Sequence, residues 1–386
     1  MAGKLRLRVD AGNHGRSHCP VSVLLPGAYR GCKAAVLRNA ADGARIPCQM
    51  SWTPRGMMAV WLVNGLRAGE TREMTLEPAS EVEDPPVVEV DNHTGEHRAD
   101  ISIRGAAFTS YHYGKNWVRP FLHPLVGPHG GHMTRDWPIV AGSEGEEGDH
   151  PHHKSLWVAH GACNKVNHWN EKPNHGWQRH RSFTRVFSGA VFGHLAAKND
   201  WCAPSGRKQF EEIREMCFYA FPGGERLFDI AITFRMTEGR VVFHDTKEAG
   251  LIALRAAPSM EARAGGRIEN SYGGVDEAET WGKAAHWCDY SGPVNGKTVG
   301  AAIFDHEENP RYPTTWHVRE YGLMAANCFG VKSFNPQAKQ RGDMTFEKGS
   351  KTTWRYRVFI HKGDASKGKV KARFLDFAAP PQVTLE

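Results

Sequence analysis

The sequence predicts an all-β protein. Three observations carry that expectation: short segments in which apolar and polar side chains alternate, Gly, Pro and Asp between those segments, and no 3.6-residue period sustained over many turns. An extended chain sends successive side chains to opposite faces, so alternation marks a strand with one face in a core.

Taken in order, Leu5, Leu7 and Val9 alternate with Lys4, Arg6 and Arg8, and the apolar run 21–25 ends at Pro26-Gly27. Segments 45–49, 57–63 and 71–76 follow at close intervals, the rhythm of an antiparallel sandwich. The stretch Glu81-Val82-Glu83-Asp84-Pro85-Pro86 is acidic and proline-bearing, a composition suited to an exposed connection. It divides the chain into an N-terminal β-sandwich unit, 1–86, and a larger unit, 87–386. In the larger unit Phe228, Ile230, Ile232 and Phe234 alternate after a Pro222-Gly223-Gly224 turn, 299–304 is an apolar core strand, and Trp354, Tyr356, Val358 and Ile360 alternate near the end. The best helix candidate, 364–377, is short and lysine-rich. Residues 112–180 show little periodicity and predict long loops, with Trp117, Trp137, Trp157, Trp169 and Trp177 arguing against disorder.

The 386 residues provide for a sizeable core, and 40% hydrophobic with 24% charged residues is ordinary globular usage. No apolar run approaches the roughly 20 residues that cross a bilayer, and the first residues lack a signal-peptide core, so cytoplasmic residence without a membrane partner is expected. Eight scattered cysteines with no CxxC pair read as buried thiols. The net charge of +7 is spread without a basic block, which argues against nucleic acid. A mild positive field suits an anionic small substrate, although solubility alone accounts for it.

Eleven of the 21 histidines fall between His112 and His180. Imidazole titrates near neutral pH, ligates metals and hydrogen-bonds sugar hydroxyls, so the cluster fits acid–base, metal or sugar-binding roles. Its sharpest part is Asp149-His150-Pro151-His152-His153-Lys154-Ser155-Leu156-Trp157, followed by His160 and His168-Trp169. In an extended segment His150 and His152 would share one face and His153 the other. There is no HExxH; no cofactor is required by the sequence, and a divalent metal stays open beside a metal-free histidine cluster. Trp157, Trp169 and Trp316 are candidates to meet the apolar face of a sugar ring, packing being the ordinary alternative for each.

A second constellation runs downstream through Glu248, Arg255, Asp305, His306, Asn309, Arg311, Trp316, His317 and Arg319. Asp305 and His306 would emerge at the end of the 299–304 strand, where a rigid scaffold can hold active groups. His317 and Arg319 would share a face if extended. Surface ion pairs are the plainer explanation for these charges.

On these stretches the chain resembles a family of bacterial proteins labelled methane oxygenase PmoA-like. The matching residues are Arg119-Pro120-Phe121-Leu122-His123-Pro124-Leu125, Thr134-Arg135-Asp136-Trp137-Pro138, Asp149 to His153, Asp245 to Glu248, Asp305-His306 with Asn309 to Pro313, and Trp316 to Asn327. The resemblance covers roughly residues 88–362 and implies a galactose-mutarotase-like β-supersandwich, the fold of sugar epimerases and several polysaccharide lyases. The label points to a membrane copper enzyme, and this chain has no membrane span with which to be that subunit. His129 and His132 depart from the family's pattern, and the resemblance transfers no catalytic residue.

The expectation is a carbohydrate-active enzyme of lyase or epimerase type that abstracts a proton next to a carbonyl or carboxylate of a small-molecule or oligosaccharide substrate, with an oligomer open. The candidate catalytic residues are His152, His153, Glu248, Asp305, His306 and His317. His153 or His317 would be base or acid, with Arg255, Arg311 or Arg319 holding the charge. Arg119, His123, Trp157, His160, Arg255, Asn309, Arg311, Trp316 and Arg319 would bind substrate. Three alternatives stand: a glycoside hydrolase using Glu248 with Asp305, an iron oxygenase using His152, His160 and Asp149, and a non-catalytic sugar-binding protein.

Overall fold

The computed structural model describes residues 3–81, 84–143, 146 and 148–386. Val82 and Glu83 of the acidic connection lie outside the described residues. The fold is all-β, and its longest helix, Val370–Ala378, has nine residues.

Two eight-stranded antiparallel sheets form the larger unit. Across the first run Trp316–Arg319, Leu323–Ala326, Ala249–Arg255, Leu156–His160, Phe121–His123, Ala106–His112, Arg98–Ile103 and Val88–His93. Across the second run Trp177–Phe187, Phe192–Cys202, Lys208–Tyr219, Arg226–Arg235, Lys351–Lys362, Lys297–Asp305, Trp287–Val294 and Arg267–Asn270. One core joins them: Ile101, Leu156, Val158, Leu254 and Met324 from the first sheet pack with Leu195, Phe218, Ile230, Ile303 and Val358 from the second. This is a supersandwich, two large sheets face to face.

The outer faces differ. Over the second sheet, Phe192, Phe221, Phe304 and Phe359 are covered by Val370 and Phe374 of the last helix and by Val60 and Leu62 of the N-terminal unit. Over the first sheet a smaller cluster of Phe121, Trp157, Trp169, Ala253, Leu323 and Ala325 leaves room for side chains and solvent.

The N-terminal unit is a small sandwich of a five-stranded and a three-stranded sheet around Leu7, Val9, Val21, Trp61 and Leu76. Its five-stranded sheet includes Gln382–Leu385, which pairs antiparallel with Leu5–Asp10. The sequence division at 86 assigns those last residues to the larger unit, and the edge of Leu5–Asp10 claims them instead, because an unpaired strand edge offers backbone partners. The helix candidate 364–377 begins only at Val370, after Lys369 in a left-handed conformation (φ 54).

The expected long loop at 112–180 contains two whole strands, Phe121–His123 and Leu156–His160, and the start of a third, Trp177–Phe187. Every residue of the two whole strands is buried, so neither shows the polar alternation that reveals a strand with one wet face.

A charged staple crosses between the sheets. Arg214 and Glu212, both buried, meet at 2.6 Å; Glu212 also accepts from Trp201 Nε1 at 2.6 Å, and Arg214 Nη1 donates to the Pro120 carbonyl at 3.1 Å. Arg214→Met removes the guanidinium that balances Glu212, and it is expected to cost about 3–5 kcal/mol because an uncompensated buried carboxylate remains. Adding Glu212→Gln should recover a large part of that loss. Urea denaturation of the single and double variants checks this, and a single variant within about 1 kcal/mol of the parent protein would contradict it.

Candidate active site

A cleft of about 640 Å³ opens on the outer face of the first sheet. The layer beneath it follows from strand register: His317 pairs with Ala325, Ala325 with Ala253, Ala253 with Trp157, and Trp157 with Phe121. Residues paired across a sheet point the same way, so His317 reaches the cleft on the face that also carries Ala325, Ala253, Trp157 and Phe121, and those four are fully buried behind it, packed with Trp169. The walls are His150 to His153, Trp169 to Lys172, Lys247-Glu248 and Arg319 with Tyr321.

The 149–155 segment is a tight turn, which corrects the extended reading. His153 N–H donates to the His150 carbonyl at 2.9 Å, and His150 (φ 41) and Ser155 (φ 54) sit in the left-handed region. That conformation is costly for residues with a Cβ and persists where surroundings impose it. Here buried cations impose it. Arg135 donates to the carbonyls of Asp149 (3.1 Å) and His150 (3.0 Å), Lys154 to that of Pro151 (2.8 Å), and Arg119 to that of His152 (2.8 Å). The turn brings His150, His152 and His153 to the same cleft in place of opposite faces.

Proton positions follow from these partners. Arg255 Nη1 lies 3.2 Å from His153 Nδ1, and a guanidinium only donates, so Nδ1 accepts and the His153 proton resides on Nε2. Burial, with the His152 imidazole and the Arg255 guanidinium beside it, holds the His153 pKa well below the ordinary value, so the ring is neutral. His153 is thus a fixed N–H donor. For His150 the arrangement is reversed. Its Nδ1 lies 2.5 Å from Asp149 Oδ2, and a carboxylate only accepts, so Nδ1 carries a proton and in the neutral ring Nε2 is the acceptor. Burial alone would raise the Asp149 pKa; the bond from His150 and the Arg255 and Arg135 guanidinium groups outweigh it and hold the carboxylate ionised.

The two imidazoles stack, with ring centres 4.7 Å apart and planes 12° apart, and the Tyr321 ring lies nearly parallel to both, 5.0 Å from His150 and 6.3 Å from His153. Burial raises the pKa of the Tyr321 hydroxyl, which stays protonated at neutral pH. Behind the opposite wall, Glu171 binds Lys154 and, at 3.3 Å, Arg119. Burial and the neighbouring Arg119 bring the Lys154 pKa down to about 8. His152 and His317, buried beside positive groups, are each lowered to about 3 and are neutral at pH 7. Among the described residues His317 Nδ1 has no hydrogen-bond partner. The ammonium groups of Lys172 and Lys247 and the carboxylate of Glu248 also make no ion pair among the described residues.

Of the residues nominated from the sequence, His152, His153, Glu248, His317 and Arg319 line this cleft. Three stand directly behind it. Arg119 and Arg255 hold the turn and its histidines, and Trp157 stacks beneath His153 with ring centres 5.2 Å apart. The other seven lie elsewhere. Asp305 ends a strand of the second sheet, so its position at a strand end does not bring it to the cleft. It accepts from Asn309 Nδ2 and Thr314 N, both at 2.7 Å, and burial raises its pKa to about 6. His306 packs on Phe377 and accepts from the Glu308 N–H. Arg311 clamps the carbonyls of Cys328, Gly342 and Asp343. Trp316 is a core residue bonded to the Ala285 carbonyl, and His123 is buried beside Asp136 at 3.4 Å. His160 turns into the core between Phe243 and Phe329.

The carboxylate pair Glu248 and Asp305 therefore does not flank one cleft, and His160 does not join His152 and Asp149. Among the described residues no three His, Cys, Asp or Glu side chains are grouped so that they could hold a metal ion. Among the same residues no helix is long and apolar enough to cross a membrane.

His150, Tyr321, Lys172 and Lys247 are cleft residues that were not nominated. His150, Lys247 and Tyr321 were legible as members of the Asp149-His153, Asp245-Glu248 and Trp316-Asn327 stretches, and the turn after Trp316–Arg319 brings Tyr321 to the cleft.

A family model described as "Family of unknown function (DUF6807)" matches residues 98–374. The chain belongs to that family. The DUF6807 match takes in every residue named at the cleft and leaves most of the N-terminal sandwich outside it. No curated protein matches by sequence. Among solved structures, the chain is similar to an α-mannosidase from Enterococcus faecalis V583, at 8% identity and a TM-score of 0.47, over 99% of this chain and 46% of that one. It is also similar to a protein in the glycosyl hydrolase family 38 from Enterococcus faecalis, at 9% identity and a TM-score of 0.45, over 99% of this chain and 47% of that one. The chain thus spans about half the length of each.

Proposed function

We propose that the protein is a carbohydrate lyase acting on an acidic sugar, with His150 as its base. The observation that carries this reading is the pairing of a carboxylate-bound imidazole with an open Nε2 and a second imidazole whose Nε2 carries a fixed proton. A proton next to a carboxylate is weakly acidic, and its removal needs a base together with donors for the charge that develops on the carboxylate oxygens.

In this reading His150 Nε2 takes the proton on the carbon bearing the substrate carboxylate. The C–H electron pair moves into the enolate. His153 Nε2–H and the ammonium of Lys247 or Lys172 meet the oxygens, and Arg255 backs His153 through Nδ1. Collapse of the enolate breaks the neighbouring C–O bond, and the departing oxygen takes the Tyr321 proton. Proton return from His150 to Tyr321 restores both groups. His152 and His317, held neutral, can hydrogen-bond sugar hydroxyls, and Trp169 offers an aromatic edge.

Glycoside hydrolysis would ask for one carboxylic acid and one carboxylate across the cleft. The carboxyl groups that line it are Glu171 and Glu248, and Glu171 is engaged by two cations, Lys154 and Arg119, so Glu248 alone of the two is left without an ion pair among the described residues.

The deciding experiment incubates the protein with acidic oligosaccharides, neutral glycosides and keto-sugars, with and without chelator, and weighs the products. Elimination gives fragments whose masses sum to the substrate, one carrying a double bond. Fragments heavier by one water point to hydrolysis, an isomer of unchanged mass points to epimerisation, and either result overturns the lyase reading.

A further inference from the structure

A second groove of about 360 Å³ adjoins the cleft, and Glu171 lines both. We infer that this groove is an outer sugar subsite, so that the substrate is an oligosaccharide extending past Glu171 onto Trp177; the inference rests on the proposed acidic-sugar chemistry of the main cleft.

Three observations support it. The partition is fixed, because the Glu171 carboxylate is tied to Lys154 and Arg119. A chain leaving the cleft must pass this edge to enter the groove. Beyond it stands Trp177, the first residue of the strand Trp177–Phe187 and half-buried. The Arg179 guanidinium lies 3.8 Å from the centre of the indole, and Arg179 is itself bonded to the Lys115 carbonyl at 2.9 Å. His175 meets the same indole edge-on at 4.4 Å. An indole braced in this way is a preorganised platform that loses little rotamer freedom when a ring docks on it.

The chemistry matches a sugar better than a purely apolar ligand. Pro173 and Pro204 supply apolar wall, while Asn174 and Glu171 supply amide and carboxylate groups for hydroxyls. An apolar surface beside a few directional polar groups is the usual composition of a site for a small polar ring. Neither Trp177 nor Asn174 touches the proposed proton-transfer groups, so the groove bears on how long a substrate is held and leaves the reacting bond alone.

The test uses the full chain and length ladders of oligogalacturonide, oligomannuronate and hyaluronan, each as dimer and hexamer. Trp177→Ala should raise KM for a turned-over hexamer about fivefold to tenfold, the loss of one stacking contact, and leave KM for the dimer and kcat for both unchanged. Trp177→Phe should restore most of the hexamer affinity. If no ladder is turned over, calorimetric binding of the hexamers to parent protein and Trp177→Ala takes the place of KM. Length-dependent binding that needs Trp177 would then overturn the lyase assignment and support the subsite. Equal effects on dimer and hexamer, or binding of no ladder at all, overturn the subsite.

Discussion

His150→Ala is expected to lower kcat on the acidic substrate by roughly 10²–10⁴-fold, the usual contribution of a positioned general base. Asp149→Asn should fall in the same range. An amide at this position can donate to Nδ1 and so favours the tautomer that places the proton on Nε2, where the base must be free. The two losses should not add, because the carboxylate acts through the imidazole and the pair works as one unit. His153→Gln tests the other half of the arrangement. A side chain that still donates to the substrate oxygen should retain more activity than His153→Leu, which keeps bulk and loses the donor. Product formation followed by the absorbance of the new double bond, with Tm recorded for each variant, separates chemistry from folding. Turnover of His150→Ala within about threefold of the parent protein would remove His150 from the role of base.

Acid should unfold this protein well above the range in which carboxylates protonate. His152, His160, His168 and His317 are each lowered to about 3, and His123, His180 and His194 to about 4, burial being the largest cause in every case. The unfolded chain takes up protons at these sites below about pH 6.5, while the folded chain refuses them until far lower pH. Below about pH 6.5 the unfolded state therefore binds more protons, and stability falls by up to about 1.4 kcal/mol per pH unit for each group. By pH 5 seven such groups together approach the whole margin of roughly 5–15 kcal/mol that a folded domain has. His361 acts in the opposite sense. Its burial is outweighed by Asp289 at 2.7 Å, its pKa is raised, and its contribution is present below its unfolded value and lost as pH rises through the folded one. One group of that kind does not offset seven. Denaturation scans are expected to place Tm at pH 5 about 10 °C or more below that at pH 7.5. A Tm flat between those values would show that the histidines are protonated in the fold.

How much of this was legible in the sequence depended on whether a segment has one wet face. Leu5–Asp10 and Arg226–Arg235 alternate because one side is the more exposed, and each stands in its alternating stretch; Lys351–Lys362 alternates in sequence although residues 356–361 are buried on both faces. Leu156–His160 gives no alternation, since both of its faces are covered, and it is the strand that carries Trp157, stacked behind the cleft under His153. Likewise His317 and Arg319 were expected on one face and do line one wall, because a period of two is a local property of an extended chain. Asp305 and Arg311, a few residues earlier, belong to the second sheet and to a loop clamp, and spacing along the chain does not report which sheet a strand joins.

The sequence alone determined the all-β class, the small sandwich at the start, and the gathering of histidines and cations around Asp149, all of which follow from composition and short-range periodicity. Tertiary structure decided what those histidines are. The left-handed turn at His150 exists because Arg119, Arg135 and Lys154 converge on its carbonyls. The opposite tautomers of His150 and His153 exist because one meets the carboxylate of its neighbour Asp149 and the other the guanidinium of Arg255 from a distant strand. A proton's position on an imidazole is set by what the other nitrogen touches, and only the folded chain brings Arg255 to His153.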